Sequence, residues 1–286
     1  MLQYAVFGVV DGAFLLMATL GFALVSRVHK FLNIAHAELM SVAALLTWGL
    51  SVPGGLPFLA SAAIAIVVVA ALGLGLGRIV YEPMLSRGPE ILLIVSVGVV
   101  YLIHGTVEAI VSPGVKSFAI PKPPSWHLGE LHITPYQVAV VVLAALCFIG
   151  LHLFLSRTSA GSAIRAISDN RELAEMRGID VRRATRHVWL IASGFAGVAG
   201  IGLGVLGTLT TDIAFEQILL ILSVAILAGL GSIYGVAIAA FALGLAMDLS
   251  TMVVPGGYRA TVAFLVIIIV LVFRPQGLFG RRVRVA

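Results

Sequence analysis

Residues 136–155 read YQVAVVVLAALCFIGLHLFL, and residues 156–187 directly after them read SRTSAGSAIRAISDNRELAEMRGIDVRRATRH. The first stretch has the length of a helix that crosses a lipid bilayer, and it contains no lysine, arginine, aspartate or glutamate. The second contains seven arginines and four carboxylates, which are costly to place in hydrocarbon. We therefore predict a membrane protein in which residues 156–187 form a loop outside the bilayer.

The composition extends this pattern to the whole chain. Of 286 residues, 60% are hydrophobic and 11% are charged, whereas soluble domains carry about 25% charged residues. Backbone polar groups in lipid must bond within their own segment, and long apolar runs without alternation favour helices over barrel strands. We predict an all-α polytopic membrane protein with a single transmembrane domain, residues 1–286. Any ATPase or large solute-binding domain must then come from other chains.

Nine apolar windows are predicted to cross the membrane, and eight is the alternative count. Two windows, 217–230 and 260–273, are short for a crossing, and the first could be a tilted short span or a re-entrant piece. The windows are residues 4–26, 31–50, 58–77, 91–111, 136–155, 188–209, 217–230, 236–252 and 260–273.

Lysines and arginines are divided unevenly between the connecting segments. One set of alternate connectors holds 15 of them and the other holds 3. Because basic residues concentrate in cytoplasmic connectors, the N-terminus is predicted outside and the C-terminus in the cytoplasm. The basic pI is explained in this way and does not indicate nucleic-acid binding. The cytoplasmic set is Arg27, Lys30, Arg78, Arg87, the seven loop arginines, Arg274, Arg281, Arg282 and Arg284, and the outer set is Lys116, Lys122 and Arg259.

Three pairs of glycines are spaced four residues apart in or beside these windows. Small residues at this spacing let helix backbones approach closely in lipid, so we predict a packing role and no chemistry. The pairs are Gly73 and Gly77, Gly200 and Gly204, and Gly231 and Gly235.

Polar residues cluster at the start of the second window, where Asn33, His36 and Glu38 follow one another closely. One interpretation is a polar lining of a transport pathway, near the inner end of the span. The other is a helix start, in which Asn33 caps the helix and Glu38 complements its dipole. The residues alone leave both interpretations open.

Other ionisable residues favour simple pairing. His104 and Glu108 stand one helical turn apart, and Asp11 and Asp248 lie within spans, where they could pair with other helices. Asp212 is expected to be a solvated loop charge.

No catalytic constellation is present in the sequence. The motifs HExxH and GxSxG and the phosphate-binding loop are all missing, and the histidines and carboxylates have no metal-ligand spacing. We expect no enzyme activity, no metal and no cofactor in this chain.

The loop 156–187 has helical character between residues 161 and 176. A break with a new helix start is predicted at Asp169 or Asn170, and a stop at Gly178. Such a helix could lie on the membrane surface or fit a groove on a partner protein.

Five stretches, taken in order, resemble the branched-chain amino-acid (LivH/LivM-type) ABC importer permeases. The loop stretch matches the family's G-x-x-x-R-A pattern and the following A-x-x-x-G-I. Two positions depart from the family pattern, Ala37 and Ala228, where glycine is usual. The stretches are FLNIAHAE (31–38), YEPMLSR (81–87), GSAIRAISDNRELAEMRGID (161–180), LAGLGSIYG (227–235) and RPQGLFG (274–280).

The resemblance implies a type II ABC importer-like permease in the bacterial inner membrane. Its partners would be a second permease, identical or homologous, two ATPase subunits that bind ATP and Mg²⁺, and an extracytoplasmic solute-binding protein. It places Asn33, His36 and Glu38 along or beside the solute path, and leaves open branched-chain amino acids, urea or short amides as the solute. The ATPase-coupling residues would be Gly161, Arg165, Ala166, Asp169, Asn170, Ala174 and Gly178.

Two other classes remain as alternatives. A secondary transporter or channel would need no ATPase but would need ionisable pairs at mid-membrane, for which His36 and Glu38 are the candidates. A membrane enzyme is disfavoured by the missing catalytic constellation.

Overall fold

The computed structural model of the chain describes residues 1–121, 124–129 and 131–279. Eleven α-helices and one short antiparallel hairpin are found in this part of the chain. The helices are α1 Leu2–His29, α2 His36–Ser51, α3 Phe58–Leu76, α4 Pro89–Ile110, α5 Pro135–Arg157, α6 Ser159–Asp169, α7 Arg171–Met176, α8 Val181–Leu206, α9 Ile213–Ala228, α10 Ile233–Ser250 and α11 Arg259–Phe273, and the hairpin pairs β1 Trp126–Leu128 with β2 Leu131–Ile133.

Each predicted apolar window overlaps one of these helices. Within the described residues, seven helices are long and apolar enough to cross a membrane. A π-turn, Gly77–Tyr81, and a 3₁₀ segment, Glu82–Arg87, extend α3 without a break. Helix α11 has 15 residues and reaches 18 with the 3₁₀ turn Gly256–Tyr258 before it, whereas α2 and α9 have 16 residues each. The all-α polytopic architecture is confirmed, and nine crossings stay a prediction.

Helix α1 lies at the centre of the bundle. In the most hydrophobic 18-residue stretch of α1, 89% of the residues are buried. The helix packs against α2, α5, α8, α9 and α10. A helix that is apolar on all sides suits such a position. By contrast, α3, α5 and α11 are mostly exposed along apolar surfaces, which suits contact with lipid.

The second helix begins five residues later than the sequence predicted. The window started at Phe31, but α2 starts at His36, and residues 30–35 run outside any helix. Lys30 ends α1 in the left-handed conformation, at φ 59°, and turns the chain into this connector. The predicted start was wrong because hydrophobicity alone does not separate a buried connector from a helix.

Close helix approaches are found at several of the predicted packing glycines. A Cβ on Gly73 would lie 1.7 Å from Ser193 Oγ, one on Gly77 would lie 2.6 Å from the Trp189 ring, and one on Gly200 would lie 2.1 Å from Met40 O. These three positions therefore bring α3 and α2 against α8.

The other predicted glycines differ from that role. Gly204 faces Phe118 and Leu209 of the outer connectors rather than another helix. Gly231 is wrong as a helix-packing residue, because it lies in the turn between α9 and α10 at φ 84°. Gly235 packs on this same turn, with its Cβ position 2.6 Å from Ala228 O.

Some predicted residues lie outside the described part of the chain. They are Lys122, Arg281, Arg282 and Arg284 of the charge count, and Gly280 of the last motif.

Candidate functional site

The loop between α5 and α8 folds into the two short helices α6 and α7. Helix α6 follows Thr158, whose Oγ1 accepts a hydrogen bond from Gly161 N at 2.9 Å. Helix α7 follows Asn170, whose Oδ1 accepts one from Leu173 N at 3.0 Å. Gly178, at φ 77°, follows α7 in the left-handed conformation that glycine adopts without strain. The predicted break and stop coincide with these observed ends.

The seven residues assigned to ATPase coupling differ in burial. A side chain on the first of them, Gly161, would place Cβ 2.2 Å from Phe154 O, so glycine lets α6 fold back against α5. The exposed members are available to a partner, whereas the buried ones position the helices. Gly161 and Ala174 are buried, Arg165 and Ala166 are half-buried, and Asp169, Asn170 and Gly178 are exposed.

Helix α7 presents apolar side chains to solvent. Leu173 is 47% exposed and Met176 is 78% exposed, although the helix is charged around them. An ion pair between Arg171 and Glu175, 3.3 Å from Nε to Oε1, supports the same short helix. Leu173 and Met176 are thus apolar side chains that a partner protein could cover.

The C-terminal end of α6 is bound by the end of α1. Arg27 Nε donates a hydrogen bond to Ser168 Oγ at 3.3 Å, and Lys30 Nζ donates one to Ser168 O at 2.9 Å. Burial and the neighbouring Arg27 lower the pKa of Lys30, and Asp169 opposes this change. Because positive charge is favourable at a helix C-terminus, these bonds couple α6 to the start of residues 30–35.

Residues 30–35 are held inside the bundle by polar contacts. Tyr81 Oη donates to Asn33 Oδ1 at 3.0 Å, and Ile34 N donates to Ser96 Oγ at 3.4 Å. Asn33 is 2% exposed, lies before α2 and makes no capping bond to it. The helix-start interpretation, in which Asn33 caps α2, was therefore wrong.

His36 begins α2 deep within the protein. Its Nε2 lies 3.0 Å from Ala18 O on α1, eleven residues before His29, where α1 ends. At 1.5 Å per residue this is about 16 Å along the helix axis. The predicted position near the inner end of a span was wrong, because the connector 30–35 carries the chain to this depth first.

Glu38 lies two residues after His36 on α2, and its side chain faces α4. Its side chain is 2% exposed, and its Oε1 is 3.5 Å from His104 Nδ1. On its other side, His104 Nε2 is 3.7 Å from both Glu108 Oε1 and Asp212 Oδ1. The expected pair of His104 and Glu108 is present, but Asp212 is no isolated loop charge, because it joins this cluster.

A stack of aromatic rings lies against the connector 30–35. Trp189 stacks on His29 at 5.0 Å between ring centroids and on Tyr81 at 5.2 Å, and Tyr81 lies 5.3 Å from Phe31. All four rings are buried. The connector is thereby fixed on its apolar side by packing and on its polar side by hydrogen bonds.

The two intramembrane aspartates share one partner. Arg259, at the start of α11, donates to Asp11 on α1 and, at 2.5 Å, to Asp248 Oδ1 on α10. The predicted pairing with other helices is thus present in the structure, and it joins three helices. This arrangement is structural, since it lies apart from α6, α7 and the connector 30–35.

Several residues of the site were missed by sequence reasoning. Tyr81, Ser96 and Ser168 contact residues far from them in the chain, so spacing carried no signal for them. The YEPMLSR stretch did single out the segment that contains Tyr81, but it did not predict its bond to Asn33.

Comparison with known proteins places the chain in a family. The family model for the branched-chain amino acid transport system / permease component matches residues 4–271. The permease protein BraD of the high-affinity branched-chain amino acid transport system of Pseudomonas aeruginosa is 30% identical, over 98% of this chain and 96% of that protein. LivH of Escherichia coli K12, also a high-affinity branched-chain amino acid transport system permease protein, is 28% identical with the same coverages.

Among solved structures, PsaBC from Streptococcus pneumoniae in complex with Fab aligns with 97% of this chain and 91% of that one. The identity is 16% and the TM-score 0.49, so the sequence matches alone decide the family. They extend over almost the whole chain, in agreement with the five motif stretches. The chain therefore belongs to the family of permease components of branched-chain amino acid transport systems.

Proposed function

We propose that the chain is the transmembrane permease subunit of an ATP-driven ABC importer for branched-chain amino acids. The observation that carries this proposal is the α6–α7 pair, which is well capped, exposes Leu173 and Met176, and is bound through Ser168 to the end of α1. Family membership and the substrates named for BraD and LivH support the same function. A urea or short-amide importer of the same build is the alternative.

The partners follow from this role. A second permease, identical or homologous, completes the pore, and an extracytoplasmic solute-binding protein delivers the solute. Two ATPase subunits, which bind ATP and Mg²⁺, dock on α6 and α7 from the cytoplasm. This orientation, with the N-terminus outside and nine crossings in the bacterial inner membrane, agrees with the concentration of arginines in 156–187.

The mechanism is alternating access, and the free energy for it comes from ATP bound by the partner ATPase subunits. Closure of the ATPase dimer displaces α6 and α7, and the bonds of Arg27 and Lys30 to Ser168 pass this displacement to α1 and the connector 30–35. A ligand shifts a two-state equilibrium only by its difference in affinity for the two states, and here ATP supplies most of that difference.

In this scheme, Asn33 of the connector and His36 and Glu38 of α2 act beside the solute path. Asn33, His36 and Glu38 are each at most 2% exposed, so none of them contacts solvent in this conformation. Movement of the connector 30–35 would change what Asn33 and His36 contact, and so the shape of the path next to them.

A test of the ATPase-docking role uses two substitutions at Gly178. Proline fixes φ near −65° and cannot adopt the observed 77°, whereas asparagine tolerates the left-handed conformation. Gly178→Pro should insert into the membrane at the normal level but lose the co-expressed ATPase subunits during purification. Gly178→Asn should retain them. Equal retention of the ATPase by both variants would count against docking on α7.

An ATPase-independent transporter is the second candidate function, and the buried ionisable pair of Glu38 and His104 favours it. Proteoliposomes separate the two. Uptake that stops with vanadate and persists with a protonophore indicates the ATP-driven importer. The reverse pattern indicates the secondary transporter.

A further inference from the structure

Helices α2 and α4 and the residue before α9 contribute to a cluster of ionisable side chains, of which the mechanism above uses only Glu38. His104 and Glu108 stand one turn apart on α4, Asp212 precedes α9, and Glu38 comes from α2. His104, Glu108 and Asp212 each offer one possible ligand atom, and these three atoms all lie within 4.8 Å of one another. The sequence shows no metal-ligand spacing here, because Asp212 is more than a hundred residues away from the other two.

The cluster has a deficit of positive charge. It contains three carboxylates and one imidazole, and no lysine or arginine in the described residues forms an ion pair with them. Even a protonated His104 would leave the group with more negative than positive charge. Lys116, whose backbone pairs with Leu209 three residues before Asp212, instead places Nζ 4.7 Å from the centroid of the Trp48 ring. A cation would therefore be bound favourably at this position.

Glu38 points to a particular kind of cation. It is 1% exposed, and neither of its oxygens has a hydrogen-bond partner among the described residues, which is costly unless it serves another group. Its Oε1 lies 3.5 Å from His104 Nδ1, which also has no hydrogen-bond partner among the described residues. A proton on Nδ1 would point towards this carboxylate and leave the Nε2 lone pair facing Glu108 and Asp212. A carboxylate behind a histidine in this way is the usual support of a metal ligand.

The two separations from His104 Nε2 are closer to those around a metal ion than to those around an ammonium group, whereas the Glu108 and Asp212 oxygens lie within 4.8 Å of each other. Ligands about 2.1 Å from a tetrahedral ion are about 3.4 Å apart. Acceptors about 2.8 Å from an ammonium nitrogen are about 4.6 Å apart. The two separations from His104 Nε2 are both 3.7 Å, close to the metal value. Binding requires Glu108 and Asp212 to move closer together, and their side chains, which are 55% and 68% exposed, have room to do so.

We propose that His104, Glu108 and Asp212 bind a divalent transition-metal ion of the Zn²⁺ or Mn²⁺ class, with Glu38 as the positioning residue for His104. A water molecule would complete the coordination. The ion would connect α4 to the N-terminal end of α9. These two elements also meet through the side chains of Tyr101, His104 and Phe215. Glu38 is the one member of this site that also lies beside the proposed solute path, and binding of the ion does not need the ATPase.

The test uses the full-length chain in lipid nanodiscs, stripped of metal with a chelator. Titration with Co²⁺, a spectroscopic substitute for Zn²⁺, should give a visible absorption band at one equivalent, and ZnCl₂ should displace it. Asp212→Asn and Glu108→Gln should each weaken Zn²⁺ binding at least tenfold. The matched control is Glu216→Gln, an exposed carboxylate one turn further along α9, which should bind as the original chain does.

Glu38→Gln gives an independent readout of the positioning role. Loss of such a supporting carboxylate weakens metal binding by about 10- to 100-fold and should alter the Co²⁺ band rather than abolish it. The proposal is overturned if the original chain gives no Co²⁺ band, or if Asp212→Asn binds Zn²⁺ as tightly as Glu216→Gln. It is equally overturned if leucine, and not metal, binds in a manner that Asp212→Asn removes.

Discussion

Gly161 shows how one residue determines the position of α6. It lies at the corner where α5 ends and α6 begins, with its Cβ position 2.2 Å from Phe154 O and 2.6 Å from Leu155 Cα. Both neighbours are backbone atoms, so relief requires that α6 itself shift. Glycine is therefore required here for close approach and not for backbone conformation.

We predict that Gly161→Ala displaces α6 and weakens ATPase binding. Overpacking of this kind costs about 1–3 kcal/mol, so the thermal unfolding midpoint should also fall. Gly150→Ala is the matched control, because Gly150 lies on α5 with no atom within 4 Å of its Cβ position. ATPase co-purification and a thermal unfolding curve measure the two effects. Identical behaviour of the two variants would show that the corner tolerates a side chain.

Arg259 is the second residue on which a defined part of the bundle depends. Arg259→Met leaves Asp11 and the 5%-exposed Asp248 side by side without their shared cation. Leaving a buried charged group unpaired costs about 1–3 kcal/mol or more, so we expect reduced stability in detergent. Arg87→Met, at an exposed position outside any ion pair in the described residues, should have little effect. The urea or heat midpoint of each purified variant decides between these outcomes.

At the scale of elements, the connector 30–35 is the feature that separates this chain from a simple helix bundle. It carries the chain inward without a helix. Its backbone is bonded to Ser96 of α4, and its Asn33 side chain is bonded to Tyr81 of the π-turn after α3. Non-helical backbone at membrane depth is tolerated only where protein or water provides its bonds. Displacement of α6 can therefore move it through Lys30 more readily than it could move a continuous helix.

We expect Tyr81→Phe to loosen this connector. The substitution removes the only hydroxyl that donates to Asn33 Oδ1 in the described residues and leaves a buried acceptor unsatisfied, which costs about 1–3 kcal/mol. Hydrogen exchange of residues 30–35 should become faster, and uptake should slow. Tyr101→Phe, on the exposed surface of α4, is the control. Unchanged exchange in Tyr81→Phe would mean that aromatic packing alone holds the connector.

Elements were predictable from the sequence to the extent that hydrophobicity defines them. Windows of apolar residues correspond to helices α1 to α5 and α8 to α11, and capping chemistry at Asn170 and Gly178 located the ends of α7. The connector 30–35 was not predictable, because FLNIA is as apolar as a helix and its bonds come from Tyr81 and Ser96. Likewise, the cluster around His104 depends on contacts between α2, α4 and α9.

At the scale of the whole molecule, the chain is a multi-pass inner-membrane permease. Among the described residues, we propose that α6 and α7 are the only helices that lie entirely in the cytoplasm. The central helix α1 contacts five other helices and binds α6 through Arg27 and Lys30. A displacement of α6 therefore reaches the centre of the bundle directly. Under the proposed function, this arrangement would let an ATPase bound to α6 and α7 act on the centre of the permease.

The most direct test of this account is the location of α7 relative to the membrane and to the ATPase. In a Cys147→Ala background, which lacks the single native cysteine, Met176→Cys and Val253→Cys each place one thiol at a highly exposed position. We predict that Met176→Cys is protected from an impermeant maleimide in intact cells and cross-links to the ATPase subunit, whereas Val253→Cys is labelled and does not cross-link. Labelling of Met176→Cys from outside, without a cross-link, would contradict the account.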